Sequence, residues 1–518
     1  MSAAEAVSAA ELVRRAPREH PLRAWAPAAV LLAIFFVVAT WAAARLPFWR
    51  DEMYTVGTTG SGLLHAYRQA IHFEQQPPFY YLVLSLWRIA LPSLFEARLF
   101  SVLSATAALA VLALAARRAW PTVSPAWTVL VAGTAPLVLW AASELRVYAF
   151  LLFLLSLLFL CYHEAFLRES PRRGWAAAYV GVALAALYSH YYAVLFIAGC
   201  TAAGLALGRS RALRRLAVAT VAIGVGALPA LAWAPAQMHA ISPAQIRDTV
   251  TPAGIAARRA LDDVEEVAIP AAPAIRRFFP AKTRGTMLLH WLVRLAIVAA
   301  CGVALAAAFW RPWPAASRLL WPTVVLGTVA LEFVVLRVHF GPEAMYPRYL
   351  AAVALVFPLV AAGAAASWRP AHVLFPFVAA LNLAALAQSD VLVTKVGDLA
   401  RVGAYLTVRA APSETIMVLP GADVPPLRLY YHGSSEIEAV PCPVAEYGCL
   451  VEAGDSLVAA AQLRAAVARG GAWVVINPVV RWQRLLTEAM VREIGRRYRL
   501  AELRTFRGNG TVRHVLPR

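Results

Sequence analysis

Asp51 and Glu52 stand directly behind an apolar run, in Phe48-Trp49-Arg50-Asp51-Glu52-Met53-Tyr54, and Gln75-Gln76-Pro77-Pro78-Phe79-Tyr80-Tyr81 stands directly ahead of another. Carboxylates beside a membrane are costly and therefore mark function or a firm structural role. A pair of them can accept a proton from a hydroxyl or amine, or hold a cation. Other chemistry-bearing residues also gather at the ends of apolar runs: His65, His72, Glu74 and Arg98; Ser143-Glu144-Leu145-Arg146-Val147-Tyr148; Tyr188-Ser189-His190-Tyr191-Tyr192; and Arg337 to Tyr349, with His339, Glu343, Tyr346 and Arg348. Arginines in such a set can bind an anionic lipid head group. Plainer readings stand beside these. Asp51 and Glu52 could cap the positive end of a helix, Arg98 could snorkel to an interface, and the tyrosines fit an aromatic belt. His190 could be a hydrogen-bonded helix-end residue.

The elements that must carry these residues are membrane helices. Of 518 residues 61% are hydrophobic and the mean hydropathy is +0.62, more apolar surface than a soluble fold can bury. The net charge is +19, but Lys and Arg occur in short clusters between apolar runs, the positive-inside pattern, so nucleic acid is not the expected partner. Residues 1–24 carry Arg14, Arg15, Arg18 and Arg23 with no apolar core and read as a cytoplasmic tail ahead of a retained first span.

The run Pro77 to Leu91 ends at Arg88 and Pro92 and is shorter than the roughly 17 to 25 residues of a spanning helix. If it spanned, the basic clusters at Arg117-Arg118, Arg168 with Arg172-Arg173, and Arg209 to Arg215 would all fall outside. Laid along the surface, it leaves every one of them inside. Spans are then expected at Trp25–Ala44, Leu99–Ala116, Trp127–Ala142, Val147–Tyr162, Trp175–Tyr188, Tyr191–Leu207, Leu216–Pro235, Leu288–Phe309, Leu319–Leu336, Tyr349–Ala366 and Ala371–Ala387. The expected fold class is a polytopic α-helical membrane protein of about eleven transmembrane helices with a small C-terminal extracytoplasmic α/β domain. Residues 25–387 form the membrane domain, with outer loops 45–98 and 236–287, and residues 388–518 the C-terminal domain. In that domain, strands are expected at Thr415–Leu419 and Ala472–Ile476, a helix at Ser456–Ala468, and a hairpin about Gly508-Asn509-Gly510. Cys161, Cys200 and Cys301 read as core residues, whereas Cys442 and Cys449 are disulfide candidates in an oxidising compartment. This parity gathers every chemistry-bearing stretch on one outer face. No Walker loop, dinucleotide fingerprint or His-Glu-x-x-His metal motif competes with it.

Several stretches, in this order and spacing, resemble the GT-C superfamily of membrane glycosyltransferases, in particular bacterial relatives of protein O-mannosyltransferases and of the lipid A aminoarabinose transferase. They are Asp51-Glu52, Pro77-Pro78-Phe79-Tyr80-Tyr81, Ala97-Arg98-Leu99-Phe100-Ser101, Ser143-Glu144-Leu145-Arg146-Val147-Tyr148, Ser189-His190-Tyr191 and Pro347-Arg348-Tyr349-Leu350. The likeness covers roughly residues 20–390. It implies an inverting transfer, at the outer face of the bacterial inner membrane, from a polyprenyl-phosphate sugar donor to a lipid, glycan or protein acceptor. By it, Asp51 is the base, and Glu52 orients the base or the acceptor. Arg98, Arg146 and Arg348 bind the donor phosphate. Glu144, Gln76, Tyr148, His190 and Tyr191 line the substrate cavity. Relatives commonly carry His or Lys just before Pro-Pro, where this chain has Gln76. Some relatives engage a divalent cation near the first-loop carboxylates, so Asp51, Glu52 and Glu144 are its possible ligands here and the metal is left open.

Two other classes remain. A transporter or flippase of a lipid-linked sugar would show internal repeats and ionisable groups at mid-membrane. No repeat is visible, and Arg294 is the best single residue in favour. A non-catalytic scaffold would need the C-terminal domain but not Asp51 or Glu144.

Overall fold

The structure is a computed structural model. It describes residues 21–168, 174–205, 210–233, 235, 237, 253–268, 323–331, 333–334, 350–388, 398–441, 455–477, 481–506 and 510–518. The membrane part opens with α1 (Pro21–Arg45) and three short helices, α2 (Arg50–Thr59), α3 (Leu63–His72) and α4 (Phe79–Ala90). It continues through α5 (Leu94–Ala119), α6 (Pro125–Thr134), α7 (Pro136–Ala142) and α8 (Tyr148–Tyr162), which runs on as a π turn over His163–Leu167. Then come α9 (Trp175–Leu187), α10 (Ala193–Leu205), α11 (Ser210–Ala227), α12 (Ala253–Ala268), α13 (Ala351–Ser367) and α14 (Leu374–Gln388).

Among the described residues five helices are long and apolar enough to cross a membrane, or six when the bent pair α6 and α7 is taken as one span. This is fewer than the about eleven expected from hydropathy. Part of the difference lies outside the described residues, which exclude all of Leu288–Phe309 and much of Leu319–Leu336. α10 likewise runs to the edge of the described residues at Leu205, and α13 begins where they resume. The polar break at Tyr188 ends α9 after 13 residues, about 20 Å of helix against a hydrocarbon core of about 30 Å. The expected span Trp127–Ala142 is bent by 76° between α6 and α7. Pro136 is the cause: it has no N–H to donate and pushes the preceding residue out of the helical region. Ala135 accordingly sits at φ −63°, ψ 124°.

The Pro-Pro segment opens a short helix. With 12 residues α4 is about 18 Å long and lies against α2, α3 and α5. The start of α5 is fixed by a capping box, in which Glu96 N donates to Ser93 Oγ at 3.2 Å and Ser93 N donates to Glu96 Oε2 at 3.0 Å. Trp87 Nε1 of α4 donates to the Glu96 carbonyl at 2.9 Å, which ties α4 to that cap. Arg98 is thereby set in the opening turns of a long buried helix. Cys161 and Cys200 are buried free thiols; Cys301 lies outside the described residues, as do Cys442 and Cys449.

The C-terminal domain contains α15 (Leu399–Arg409), β1 (Thr415–Leu419), α16 (Val424–Arg428), β2 (Glu436–Ala439), α17 (Asp455–Ala468), β3 (Ala472–Ile476), α18 (Arg481–Arg497), β4 (Arg499–Thr505) and β5 (Thr511–Leu516). The sheet order is β2-β1-β3-β5-β4, with β1 parallel to β2 and β3, and β5 antiparallel to β3 and β4. Both faces are covered, which explains why β1 and β3 read as unbroken apolar runs. Met417, Leu419, Val474 and Ile476 pack with Leu463, Val467, Leu486 and Met490, while Ile416, Val418, Trp473 and Val475 pack with Val402, Leu406 and Leu427. The two expected strands and the expected helix form. So does the final antiparallel pair, although Gly508 and Asn509 lie outside the described residues.

Candidate active site

Helix α2 is the hub, and its first turn sends consecutive charged residues in different directions because neighbours on a helix project about 100° apart. Glu52 points into the protein and is fully buried. It receives Arg98 Nε on Oε1 at 2.7 Å, Arg98 Nη2 on Oε2 at 2.6 Å and the Leu145 backbone N–H at 2.8 Å. Arg98 gives its remaining N–H groups to the carbonyls of Ala43 (2.8 Å), Leu46 (2.6 Å) and Pro47 (3.1 Å). Its guanidinium also lies 3.6 Å over the Phe48 ring. All five Arg98 donors are thus taken by protein acceptors, and its exposure is 0%. This corrects two expectations. Arg98 has no donor left for a phosphate, and Glu52 is the structural partner that keeps its charge buried. Both acidic residues lie in the first turn of α2, at its positive end.

Arg146 behaves differently. α7 ends at Ala142, and the turn 143–147 brings Arg146 onto α2. Its Nη1 reaches the Asp51 carbonyl at 3.1 Å, Thr55 Oγ1 at 2.9 Å and Glu74 Oε2 at 2.8 Å. Glu74 is itself buried and accepts from Thr58 Oγ1 at 3.3 Å. Burial opposes the Arg146 charge, but the Glu74 carboxylate outweighs it and holds the pKa well above the ordinary value. Nε and Nη2 of Arg146 hold no protein partner among the described residues, so one edge of a locked guanidinium stays available. Asp51 is half-buried on α2 beside this cation. Glu144 is fully buried in the same turn.

The cavity residues fall into place around this pair with differing roles. The Tyr148 ring lies between Trp140 (5.6 Å) and His190 (5.9 Å). His190 accepts the Tyr192 N–H on Nδ1 at 3.3 Å. Burial, reinforced by the Arg146 charge, lowers its pKa to about 3, so it is a neutral wall. Tyr191 is more exposed and donates its hydroxyl to Gln237 Oε1 at 2.7 Å. The Phe79 N–H bonds the Tyr188 carbonyl at 2.8 Å, so the Pro-Pro helix and the polar break form one structure. Gln76 donates its backbone N–H to the Ala70 carbonyl at 2.9 Å, while its Oε1 is buried without a hydrogen-bond partner among the described residues. The Tyr80 hydroxyl is in the same condition, and burial raises its pKa well above the ordinary value, so it stays a neutral phenol. Arg348 lies outside the described residues.

Three contributors carried no assigned role in the sequence. Glu74 fixes Arg146. Arg88, half-way out of the apolar run, donates to the Val56 carbonyl and Thr59 Oγ1 at 2.7 Å each and closes the C-terminal end of α2. Its signal was a charge in an otherwise apolar helix, which needs an acceptor. Arg50 reaches the C-terminal domain, where its Nε donates to Asp423 Oδ1 at 3.0 Å. Among the described residues no three His, Cys, Asp or Glu side chains gather as a cation site. With the Glu52 oxygens held by Arg98 and Leu145, the set Asp51, Glu52 and Glu144 does not fit one.

No family model matches the chain, and no curated protein matches it. Solved structures similar to it include two of ArnT from Cupriavidus metallidurans. The apo state shares 16% identity at a TM-score of 0.42, covering 94% of this chain and 97% of that one. The form bound to undecaprenyl phosphate shares 14% at a TM-score of 0.41, with the same coverage.

Proposed function

We propose that the chain is a membrane glycosyltransferase that moves a sugar from a polyprenyl-phosphate donor to a hydroxyl or amine of a lipid, glycan or protein acceptor. The observation that carries this reading is the pairing, on α2, of half-buried Asp51 with Arg146, a guanidinium locked by Glu74 yet with one edge uncommitted among the described residues. A phosphate leaving group needs a fixed cation, and an incoming acceptor needs a base within reach.

In this reading the Asp51 carboxylate takes the acceptor proton as the acceptor oxygen or nitrogen bonds to the anomeric carbon. The bond from that carbon to the phosphate oxygen breaks on the opposite face, which inverts the centre. The electron pair leaves with the polyprenyl phosphate, whose charge Arg146 stabilises, with Arg348 its expected second partner. Tyr148, neutral His190 and Tyr191 wall the donor, and Glu144 and Gln76 stand near the acceptor. Glu52 and Arg98 serve as the frame. The reaction side is the outer face of the inner membrane, by the basic-cluster parity.

The test is Asp51→Asn in membranes supplied with a panel of polyprenyl-phosphate sugars. Transfer is expected to fall by about 10²-fold or more at unchanged protein level. Full activity in that variant removes Asp51 as the base.

A further inference from the structure

The C-terminal sheet has an opening where its connections diverge. The chain leaves β1 toward β2 on one side, whereas β3 leads through α18 to β4 on the other. Open α/β sheets take their ligands at such a point, beyond the carboxyl ends of the strands. Here those ends carry Asp423, after β1, and Asn477, directly after β3, both almost fully buried. Asn477 Nδ2 donates to Asp423 Oδ2 at 3.0 Å, which orients the carboxylate, and Asp423 Oδ1 receives Arg50 Nε at 3.0 Å. The crevice is therefore filled by a side chain of the membrane domain. A second bond lies alongside: the Phe48 N–H donates to the Tyr430 hydroxyl at 2.7 Å. Arg50 is the residue before Asp51, in the same helical turn.

We propose that Arg50 and Asp423 are positioning residues, a latch by which the C-terminal domain sets the first turn of α2 and hence the direction of Asp51. The domain acts on the reaction through this crevice. The latch itself is a structural claim, and only its catalytic consequence rests on the glycosyltransferase reading. Arg146 and Glu52 hold the inner side of α2 and Arg88 its far end, and Arg50 ties the first turn to the C-terminal domain. A displacement of about 1 Å at a reacting group can cost about 10²-fold in rate.

The experiment compares the full-length protein in lipid nanodiscs with Asp423→Asn, Arg50→Gln, the double variant and Tyr430→Phe. Amide exchange is read over residues 48–59 and over β1 and β3, and turnover is read with the panel of polyprenyl-phosphate sugars. The latch requires at least about tenfold faster exchange across the first turn of α2 in each charge variant, with β1 and β3 still protected. It also requires a fall in kcat of about 10- to 100-fold with little change in KM for the donor. The double variant must lose no more than the worse single, because the two residues act as one pair. Tyr430→Phe keeps the ring and removes one acceptor, and must speed exchange at the Phe48 amide; it decides the matter should a charge variant fail to fold. Unchanged exchange over residues 48–59 in folded variants, or additive losses in the double, overturns the latch. A wild-type protein that turns over no donor overturns the glycosyltransferase reading instead, and the exchange data still decide the latch.

Discussion

Replacing Glu52 by Gln removes the countercharge of a guanidinium that no water reaches. Arg98 is 0% exposed and its five donors divide between two Glu52 oxygens and three carbonyls. Breaking a buried pair from one side typically costs about 3–5 kcal/mol. Glu52→Gln should fall in that range, because Gln keeps one acceptor oxygen but turns an N–H₂ group toward Arg98. Arg98→Met should cost at least as much, since it strands the Glu52 charge and also leaves the Ala43, Leu46 and Pro47 carbonyls without donors, each worth about 1–3 kcal/mol when buried. Ala43 belongs to the last turn of α1, where carbonyls have no partner within the helix. The double variant escapes the uncompensated charge but not the orphaned carbonyls. It should therefore cost less than Arg98→Met alone, leaving a coupling energy of about 3 kcal/mol or more. Equilibrium unfolding in mixed micelles of rising dodecyl sulfate fraction, followed by tryptophan fluorescence, measures all four proteins. A Glu52→Gln loss below about 1 kcal/mol, or strictly additive losses, would refute the frame role of the pair.

Arg146→Gln should lower kcat/KM for the polyprenyl-phosphate donor by about 10²–10³-fold, whereas Arg146→Lys, which keeps the charge without the fork, should recover part of that loss. Steady-state transfer assays check this, and equal activity in all three proteins rejects Arg146 as the phosphate partner. His190 gives a pH signature: burial and the Arg146 charge hold it neutral down to about 3 in the fold, against 6.5 as its ordinary value. Between these values the unfolded chain binds the extra proton, so the stability His190 confers is whole above pH 6.5 and declines as pH falls toward 3. The loss at pH 5.5 relative to pH 8 should be about 1.4 kcal/mol. It should vanish in His190→Asn, as compared by unfolding midpoints at the two pH values; an identical pH dependence in the variant contradicts the assignment.

Much of this site is legible in residue order because membrane chemistry leaves few places for charge. Asp51, Arg146 and His190 stand out as polar residues at the ends of apolar runs, and one structure gathers them. The role of Arg98 was not legible. Its neighbours in sequence are apolar, and its five acceptors come from Glu52 and from carbonyls some fifty residues earlier, which no local pattern reveals. Arg50 had no visible partner for the same reason, since Asp423 lies 373 positions away. Hydropathy alone does not show where a helix bends. The window from Trp127 to Ala142 is apolar throughout, but Pro136 bends it. The α/β domain was easier, because buried parallel strands such as Thr415–Leu419 and Ala472–Ile476 are short apolar runs bounded by polar turns.

The bend at Pro136 and the first turn of α2 belong to one design. A straight helix from Pro125 to Ala142 would carry residues 143–147 onward along its axis. Turned by 76°, the chain instead lays that segment across α2. Leu145 then caps Glu52 through its backbone, and one residue later Arg146 reaches Thr55 and Glu74 with its side chain. Two adjacent residues of one turn thus fix two successive faces of one helix. Arg50 is held from a third direction by Asp423. Asp51 sits between Arg50 and Glu52 in sequence and is fixed on both sides by neighbours whose own partners are buried. The Asp51 backbone is thus held, and under the glycosyltransferase reading a proposed base on so fixed a turn has less orientational entropy to lose on meeting an acceptor.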